Sequence, residues 1–121
     1  MKSIKYKLHV RVFVRRYQSQ EVCSVCHGSR LKPIASSLKM KSKKLGYKNI
    51  SEIHALSIKD AEEFFRKVDL SKEGEKIAKE PLRQIRGRLD FLNRVGVGYL
   101  NLDRLSKTLS GGEVQRINLA N

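Results

Sequence analysis

The chain has 121 residues, the length of one ordinary domain, and 40% of them are hydrophobic, which suffices for one modest core. It has no apolar run near the roughly 18 residues of a membrane-spanning helix, and its basic start lacks the apolar block and cleavage site of a secretory signal. Its two cysteines lie close together in CSVC, a spacing more typical of metal ligands or thiols than of a structural bridge, so we expect a reduced, cytoplasmic protein.

The formal net charge is +14, and it is concentrated near the start of the chain. Residues 1–50 contain 13 Lys and Arg against one acid, a net +12, whereas residues 51–121 contain 13 Lys and Arg against 11 acids, a net +2. This gradient favours contact with a polyanion, of which nucleic acid is the commonest. The alternatives are a solvated basic surface or a contact face for an acidic partner.

Residues 4–17 fit two patterns. Apolar side chains at every second position from Tyr6 to Val14 predict a strand. A second group of apolar residues has the spacing of a helix: Val10, Phe13, Val14 and Tyr17. We favour the helix toward the end of this segment.

The segment CSVCHGSRLKP predicts a knuckle in which Gly28 adopts a positive φ. Cys23 and Cys26 have the spacing of half a zinc site, but structural zinc takes four ligands and the chain offers no second pair. Zinc at these thiols therefore needs further ligands, from His9 or His54 if the fold brings them close, or from outside the chain. The alternative is two free thiols packed in a turn.

Residues 36–56 predict a small β-hairpin and a short helix. Leu38 and Met40 alternate with lysines, which is the period of a strand, and Gly46 suits the turn. The tip, KSKKLG, is basic, and its charges are expected to meet either DNA phosphates, in a sequence-independent and salt-sensitive way, or only solvent. The candidate DNA-contacting residues are Lys39, Lys41, Lys43 and Lys44.

Two helices are predicted from Ser57 onward. Ser57 begins the capping-box pattern SIKD, and Ser71 can cap the next helix. Pro81 lacks an amide hydrogen, so we expect the second helix to kink or restart there, and Gly96 to end it. The first helix is predicted to bury the apolar stripe Ala61, Phe64, Phe65 and Val68. The second is predicted to bury the seam Leu82, Ile85, Leu89 and Leu92.

A last helix is expected to begin near Gly112, with Ser110 and Gly111 at its head. Helix N-termini expose unpaired amides and carry partial positive charge, and glycines let an anion approach the backbone. The pattern indicates an anion site, although such a start is often only a flexible cap. Because the chain contains no P-loop, G-x-x-x-x-G-K-[ST], it is not expected to hydrolyse ATP alone. Another piece of protein would have to supply the rest of a nucleotide site.

The string LSGGEVQR resembles the signature motif of ATP-binding-cassette (ABC) ATPases. In that family the motif of one nucleotide-binding unit closes over the γ-phosphate held by the P-loop of another. The resemblance implies that Ser110, Gly111 and Gly112 contact the γ-phosphate, and that Gln115 and Arg116 support the loop and communicate its state. The whole candidate ATP-binding set is Leu109, Ser110, Gly111, Gly112, Glu113, Gln115 and Arg116.

Three blocks in order narrow this resemblance: CSVCHGSRLKP, KNISEIHALSIKDAEEFF and RLDFLNRVGVGYLNLDRLSKTLSGGEVQRINLA. Over about residues 6–121 they are similar to the first-half signature region of the UvrA family, the damage-recognition ATPases of bacterial nucleotide excision repair. The resemblance implies a longer polypeptide with a P-loop upstream and a Walker B strand after Asn121. It also implies ATP with Mg as cofactor and Zn as a further candidate. The partners that it implies are DNA, a UvrB-type subunit and a second copy.

The fold class predicted from all of this is α+β, mostly α-helical: a helical signature subdomain with a small β-hairpin. We expect three sections, a basic segment with the CxxC knuckle at 1–35, the hairpin and short helix at 36–56, and the signature subdomain at 57–121. The expected function is to complete a composite ATP site and couple nucleotide state to DNA binding. The alternatives are an autonomous basic DNA-binding module and a UvrA-like paralogue linked to drug resistance.

Overall fold

The computed structural model describes residues 8–17 and 21–119, and the side chains from residue 9 onward. The chain divides into two compact units, residues 1–30 and residues 31–121. In the described ranges, no helix is long and apolar enough to cross a membrane.

The first unit contains helix α1, Leu8–Arg16. Of the two patterns that the sequence allows here, the helical one is therefore confirmed for residues 8–16, whereas residues 4–7 lie outside the described residues. Phe13 and Tyr17 lie one turn apart, with ring centroids separated by 5.0 Å. Both rings are exposed, so α1 does not bury its aromatic side within this unit.

The CxxC segment forms a tight turn, as the sequence predicts. The amide of His27 donates to the carbonyl of Cys23 at 2.8 Å, and the amide of Ser29 donates to that of Cys26 at 2.8 Å. Gly28 has φ +90°, and His27 also has a positive φ, of +47°. The backbone thus reverses direction just after the second thiol.

The second unit is mostly helical and carries one small antiparallel sheet. Its helices are α2 (Pro33–Ser37), α3 (Ile50–His54), α4 (Ile58–Arg66), α5 (Lys72–Arg94) and α6 (Gly111–Asn118), with a 3-10 turn at Ser106–Thr108. Its strands are β1 (Lys39–Ser42), β2 (Gly46–Asn49) and β3 (Val68–Asp69), in the order β2-β1-β3. The predicted α+β, mostly helical class is confirmed.

The predicted hairpin is β1 and β2, paired from Lys39 with Asn49 to Ser42 with Gly46. Gly46 has φ +70°, which explains the glycine at the end of the turn. Met40 packs against the core and Ser42 is buried, while Lys39 and Lys41 alternate with them on the exposed face. The hairpin therefore presents basic side chains outward from an apolar base.

The core lies where α3, α4 and α5 meet the segment after α5. We call residues 95–103 the connector. Val97 and Leu100 of the connector are 0% and 2% exposed, so these two side chains of an irregular segment are as buried as the core side chains of the helices around it. The buried cluster consists of Ile53, Ile58, Ala61, Phe64, Phe65, Leu89, Val97 and Leu100.

Helix α4 begins where the sequence predicts, and all three of its first amides have protein acceptors. The amide of Asp60 donates to the Ser57 hydroxyl at 3.1 Å. The amides of Ile58 and Lys59 donate to the carbonyls of Leu100 and Gly98, at 2.8 and 3.0 Å. The connector therefore closes the N-terminus of α4, whose first amides have no acceptor within the helix.

Helix α3 has a capping box that the sequence analysis missed. The Glu52 amide donates to Asn49 Oδ1 at 2.9 Å, and the Asn49 amide donates to the Glu52 carboxylate at 2.7 Å. The signal was present, since Asn followed three residues later by Glu is a form of this motif. Because Asn49 ends β2, the box joins the hairpin directly to α3.

Three details of the helix predictions are wrong. Val68 belongs to β3 and pairs with Ser42, because α4 ends at Arg66 and the chain turns to join the sheet. Of the kink or restart expected at Pro81, the restart is wrong, because α5 runs without a break from Lys72 to Arg94; Pro81 and Ile77 are exposed, so water can satisfy the Ile77 carbonyl that proline leaves free. Ile85 is 36% exposed and is not part of a buried seam.

The residues predicted to begin and end α5 are confirmed. Ser71 caps α5 by accepting from the Gly74 amide at 3.1 Å, and Gly96, at φ +81°, follows its last turn. In the predicted seam Leu89 is buried, while Leu82 and Leu92 are partly buried against the core.

A partly buried polar contact fixes the start of the connector. Asn93 Nδ2 donates to the Glu62 carboxylate at 2.6 Å, which links α5 to α4. A Cβ at Gly98 would overlap Asn93 Oδ1. Only glycine therefore lets the connector pass this close to the amide that Glu62 holds.

We predict that Gly98→Ala lowers the free energy of unfolding by about 1–3 kcal/mol, because Asn93 must release Glu62 to make room. The matched control is Gly87→Ala in α5, where a Cβ meets nothing within 4 Å. This control should leave stability unchanged or raise it by about 0.5–1 kcal/mol, since alanine is the better helix former. Urea unfolding of both variants measures the difference, and equal stabilities would contradict the packing described at Gly98.

Candidate functional site

The candidate site is the N-terminal end of α6, which begins one residue earlier than the sequence suggests. Ser110 is the capping residue, and its hydroxyl accepts from the Glu113 amide at 3.3 Å. In return, the Ser110 amide donates to Glu113 Oε2 at 2.7 Å. This reciprocal box occupies the amides of Ser110 and Glu113.

Two amides remain at this end of the helix, those of Gly111 and Gly112. As the first two residues of α6, they have no acceptor within the helix. Both residues are exposed, and a Cβ at either would meet nothing within 4 Å. Unlike the first amides of α4, which the connector closes, these two amides have no acceptor among the described residues, and they lie at the positive end of a helix dipole. The arrangement suits the oxygens of a phosphate.

Glu113 is held on both of its oxygens. Tyr99 of the connector donates its hydroxyl to Glu113 Oε1 at 2.5 Å, while Ser110 occupies Oε2. The hydrogen bond from Tyr99, followed by that from the Ser110 amide, lowers the pKa of Glu113 to about 2. Glu113 is therefore a carboxylate at neutral pH. The sequence analysis included Glu113 in the motif but missed Tyr99, whose partner lies 14 residues further along the chain.

The other motif residues divide between the body of the unit and its surface. Leu109 packs against the core cluster. A terminal nitrogen of Arg116 lies 3.2 Å from where a Cβ of Gly96 would be, so the guanidinium covers the end of α5. Gln115 is exposed. Leu109 and Arg116 thus anchor the motif, and Ser110, Gly111 and Gly112 face outward.

The loop before the motif is fixed by Arg104, a residue that sequence reasoning did not select. Arg104 donates to the Thr108 hydroxyl at 3.2 Å and to the Thr108 carbonyl at 3.1 Å. The Thr108 hydroxyl in turn donates to the Leu105 carbonyl at 2.7 Å. These bonds close the turn that delivers Ser110 to the start of α6.

The four hairpin lysines predicted to contact DNA are not equivalent. Lys41 lies 3.4 Å from Asp69, and Lys44 lies 2.7 Å from Glu63, whose pKa its hydrogen bond lowers. In the part of the chain that the structure describes, Lys39 and Lys43 form no ion pair. The charges of Lys39 and Lys43 are therefore the ones that neighbouring acids do not offset.

Cys23 and Cys26 are free thiols of the first unit. Hydrogen bonds from the backbone amides of Cys26 and Val25 lower the pKa of the Cys23 thiol. Across residues 8–17 and 21–119, no group of three or more His, Cys, Asp or Glu side chains is placed to hold a metal. The described residues thus provide two of the four ligands that zinc needs, and zinc at this pair stays a prediction.

Curated proteins named UvrABC system protein A are similar to this chain. The relative from Methanothermobacter thermautotrophicus is 44% identical over 112 residues, and those from Treponema pallidum and Lactococcus lactis are each 46% identical over 110 residues. The matches cover 91–93% of this chain but 11% of each relative. The chain therefore spans about a tenth of the length of the curated relatives it matches.

A solved structure gives the same result. The crystal structure of UvrA2 from Deinococcus radiodurans matches with a TM-score of 0.56 and 36% sequence identity, covering 81% of this chain and 10% of that one. No family model matches the chain. Sequence and fold therefore agree, and the matched part of the chain belongs to the UvrA family, as the three ordered sequence blocks predict.

Proposed function

We propose that this chain contributes the signature-motif half of a composite ATP site in a UvrA-type ATPase of nucleotide excision repair. The observation that carries the proposal is the pair of amides at Gly111 and Gly112, which have no acceptor among the described residues and lie at the head of the helix that the motif begins. The resemblance of Leu109–Arg116 to the ABC signature, and the similarity to UvrABC system protein A, support the γ-phosphate of ATP as the anion that we propose.

The proposed roles follow from what each group can donate. The amides of Gly111 and Gly112 bind phosphate oxygens, and the Ser110 hydroxyl adds a hydrogen bond while still accepting from Glu113. Magnesium bound with ATP neutralises phosphate charge during hydrolysis. The described residues offer no cluster of metal ligands, so we assign the metal and the P-loop to another part of the assembly.

The geometry also supports coupling between nucleotide and DNA. The amides of Leu102 and Asp103 in the connector donate to Leu56 and His54, at 3.3 and 3.0 Å, next to α3. Helix α3 follows directly on the hairpin, and the connector leads into the loop before α6. The connector is thus linked to the basic hairpin through α3 and to the signature helix through the loop before α6. We propose that the lysines Lys39, Lys41, Lys43 and Lys44 contact DNA phosphates.

The wider assignments follow from the family. We propose ATP with Mg as cofactor of the whole protein, and DNA, a UvrB-type repair subunit and a second copy as its partners. We also propose cytoplasmic location, zinc at Cys23 and Cys26 with ligands from elsewhere, and the three sections 1–35, 36–56 and 57–121 as functional divisions.

The ATP role is tested by Gly112→Asp in the complete UvrA-type protein that carries this segment. An aspartate at the second helical position suits the helix dipole, so the helix should still form, but its carboxylate repels the phosphate. We expect ATP turnover to fall by at least about tenfold, since removing one transition-state donor commonly costs more than that. The control is Gly87→Asp, which adds the same charge at an exposed site in α5. Normal turnover in Gly112→Asp would contradict the proposal.

A second candidate is an autonomous basic DNA-binding module, which the net +12 of residues 1–50 favours. In that case the isolated chain binds DNA in a salt-dependent way, and Ser110→Ala leaves its binding and its biological role unchanged. Under the main proposal, Ser110→Ala also spares DNA binding by the isolated chain but impairs ATP turnover of the complete protein.

The hairpin contact is tested by two double variants that remove equal charge. Lys39→Ala with Lys43→Ala removes lysines without an ion-pair partner in the described structure, whereas Lys41→Ala with Lys44→Ala removes lysines that face Asp69 and Glu63. We expect the first to reduce the slope of log affinity against log salt by up to about 1.8, at about 0.9 per phosphate lost, and the second by less. Titrations of duplex DNA at several salt concentrations measure both slopes, and unchanged slopes would exclude the hairpin as the contact.

A further inference from the structure

Helix α6 is held to the rest of the unit by few side chains. Val114 is 38% exposed, and Leu119, which follows the last residue of the helix, is 69% exposed. Ile117 packs against the core cluster, and the Arg116 guanidinium covers Gly96. The orientation of the phosphate-facing end must therefore come largely from polar contacts near Ser110.

Tyr99 makes such a contact from a rigid position. Its neighbours Val97 and Leu100 are buried, and the carbonyls of Gly98 and Leu100 bind the first amides of α4. Tyr99 itself is 63% exposed, so its ring adds little to the core. What distinguishes it is the hydroxyl, which donates to Glu113 Oε1 at 2.5 Å.

Glu113 needs such a partner because of where it lies. A carboxylate on the first turn of a helix can turn toward the free amides of that turn, and here these are the amides proposed to bind phosphate. With Oε2 on the Ser110 amide and Oε1 on Tyr99, both oxygens are occupied away from Gly111 and Gly112. Arg104 and Arg116 are the charged groups near this contact.

We infer that Tyr99 is a positioning residue for the nucleotide site: its hydroxyl holds Glu113 against the connector, and this keeps the Gly111 and Gly112 amides free and fixed in direction. The inference rests on the proposed function. Tyr99 acts through Glu113 and does not touch the phosphate. Removing the hydroxyl frees one carboxylate oxygen to compete with phosphate and loosens the end of α6.

The kinetic test uses the complete UvrA-type protein with Tyr99→Phe. Because we propose that the signature motif closes on ATP that the P-loop already holds, kcat should fall about fivefold while KM changes less than twofold. In a Glu113→Ala background, Tyr99→Phe should cause no further loss, because two residues that act as a unit are not additive. Tyr47→Phe is the matched control, since Tyr47 is a comparably exposed tyrosine, at 65%.

Two kinetic outcomes overturn the inference while leaving the proposed function intact. One is normal kcat in Tyr99→Phe when Gly112→Asp abolishes turnover. The other is an equal loss from Tyr99→Phe with and without Glu113, which would mean that Tyr99 acts by another route. Normal turnover in Gly112→Asp instead overturns the proposed function, and with it any role of Tyr99 at an ATP site.

A pH measurement on the 121-residue chain tests the contact without ATP. The Glu113 pKa of about 2 lies below the ordinary 4.5, so the contact stabilises the fold above about pH 4.5 and this contribution is lost as pH falls toward 2. Carboxyl NMR titration should show a higher pKa for Glu113 in Tyr99→Phe. The stability difference between the two proteins should be present at pH 7 and vanish by about pH 2. An unchanged Glu113 pKa would overturn the inference.

Discussion

The hydrogen bonds between the connector and the start of α4 are the contact on which the rest of the second unit depends. Two connector carbonyls, of Gly98 and Leu100, accept the amides that α4 cannot satisfy itself, while Val97 and Leu100 fill the core beneath. Hydrogen bonds and two buried side chains thereby fix an irregular segment against the helices. It ties α4 to α5 through Asn93 and Glu62, and it carries Tyr99 to the start of α6.

The N-terminal ends of α4 and α6 differ in whether the protein supplies acceptors for their first amides. At α4, protein carbonyls complete the first turn, so this end is structural. At α6, the capping box of Ser110 and Glu113 leaves the two glycine amides open to solvent. Two amides at a helix end supply only a few of the contacts that hold a nucleotide, so we propose that a second unit presents the γ-phosphate to them.

The sequence was sufficient to predict those helix ends and strands that depend on residues close together in the chain. The caps at Ser57 and Ser71, the glycine after α5 and the alternation of the hairpin were all predictable, because each depends on neighbours within a few residues. Strand β3 was not, since two residues pair with β1 only after α4 has turned the chain back. In the candidate site, the signature motif could be recognised in the amino-acid sequence. Tyr99 could not, because its contact with Glu113 depends on how the connector folds.

A structure of the complete UvrA-type protein with a trapped, non-hydrolysable ATP analogue would test whether the head of α6 binds the γ-phosphate. The distances to measure run from the γ-phosphate oxygens to the amide nitrogens of Gly111 and Gly112 and to the Ser110 hydroxyl. We expect hydrogen-bond distances of about 2.7–3.2 Å, with Glu113 still on Tyr99. A closed, nucleotide-bound structure in which the head of α6 lies far from every phosphate would contradict the central claim.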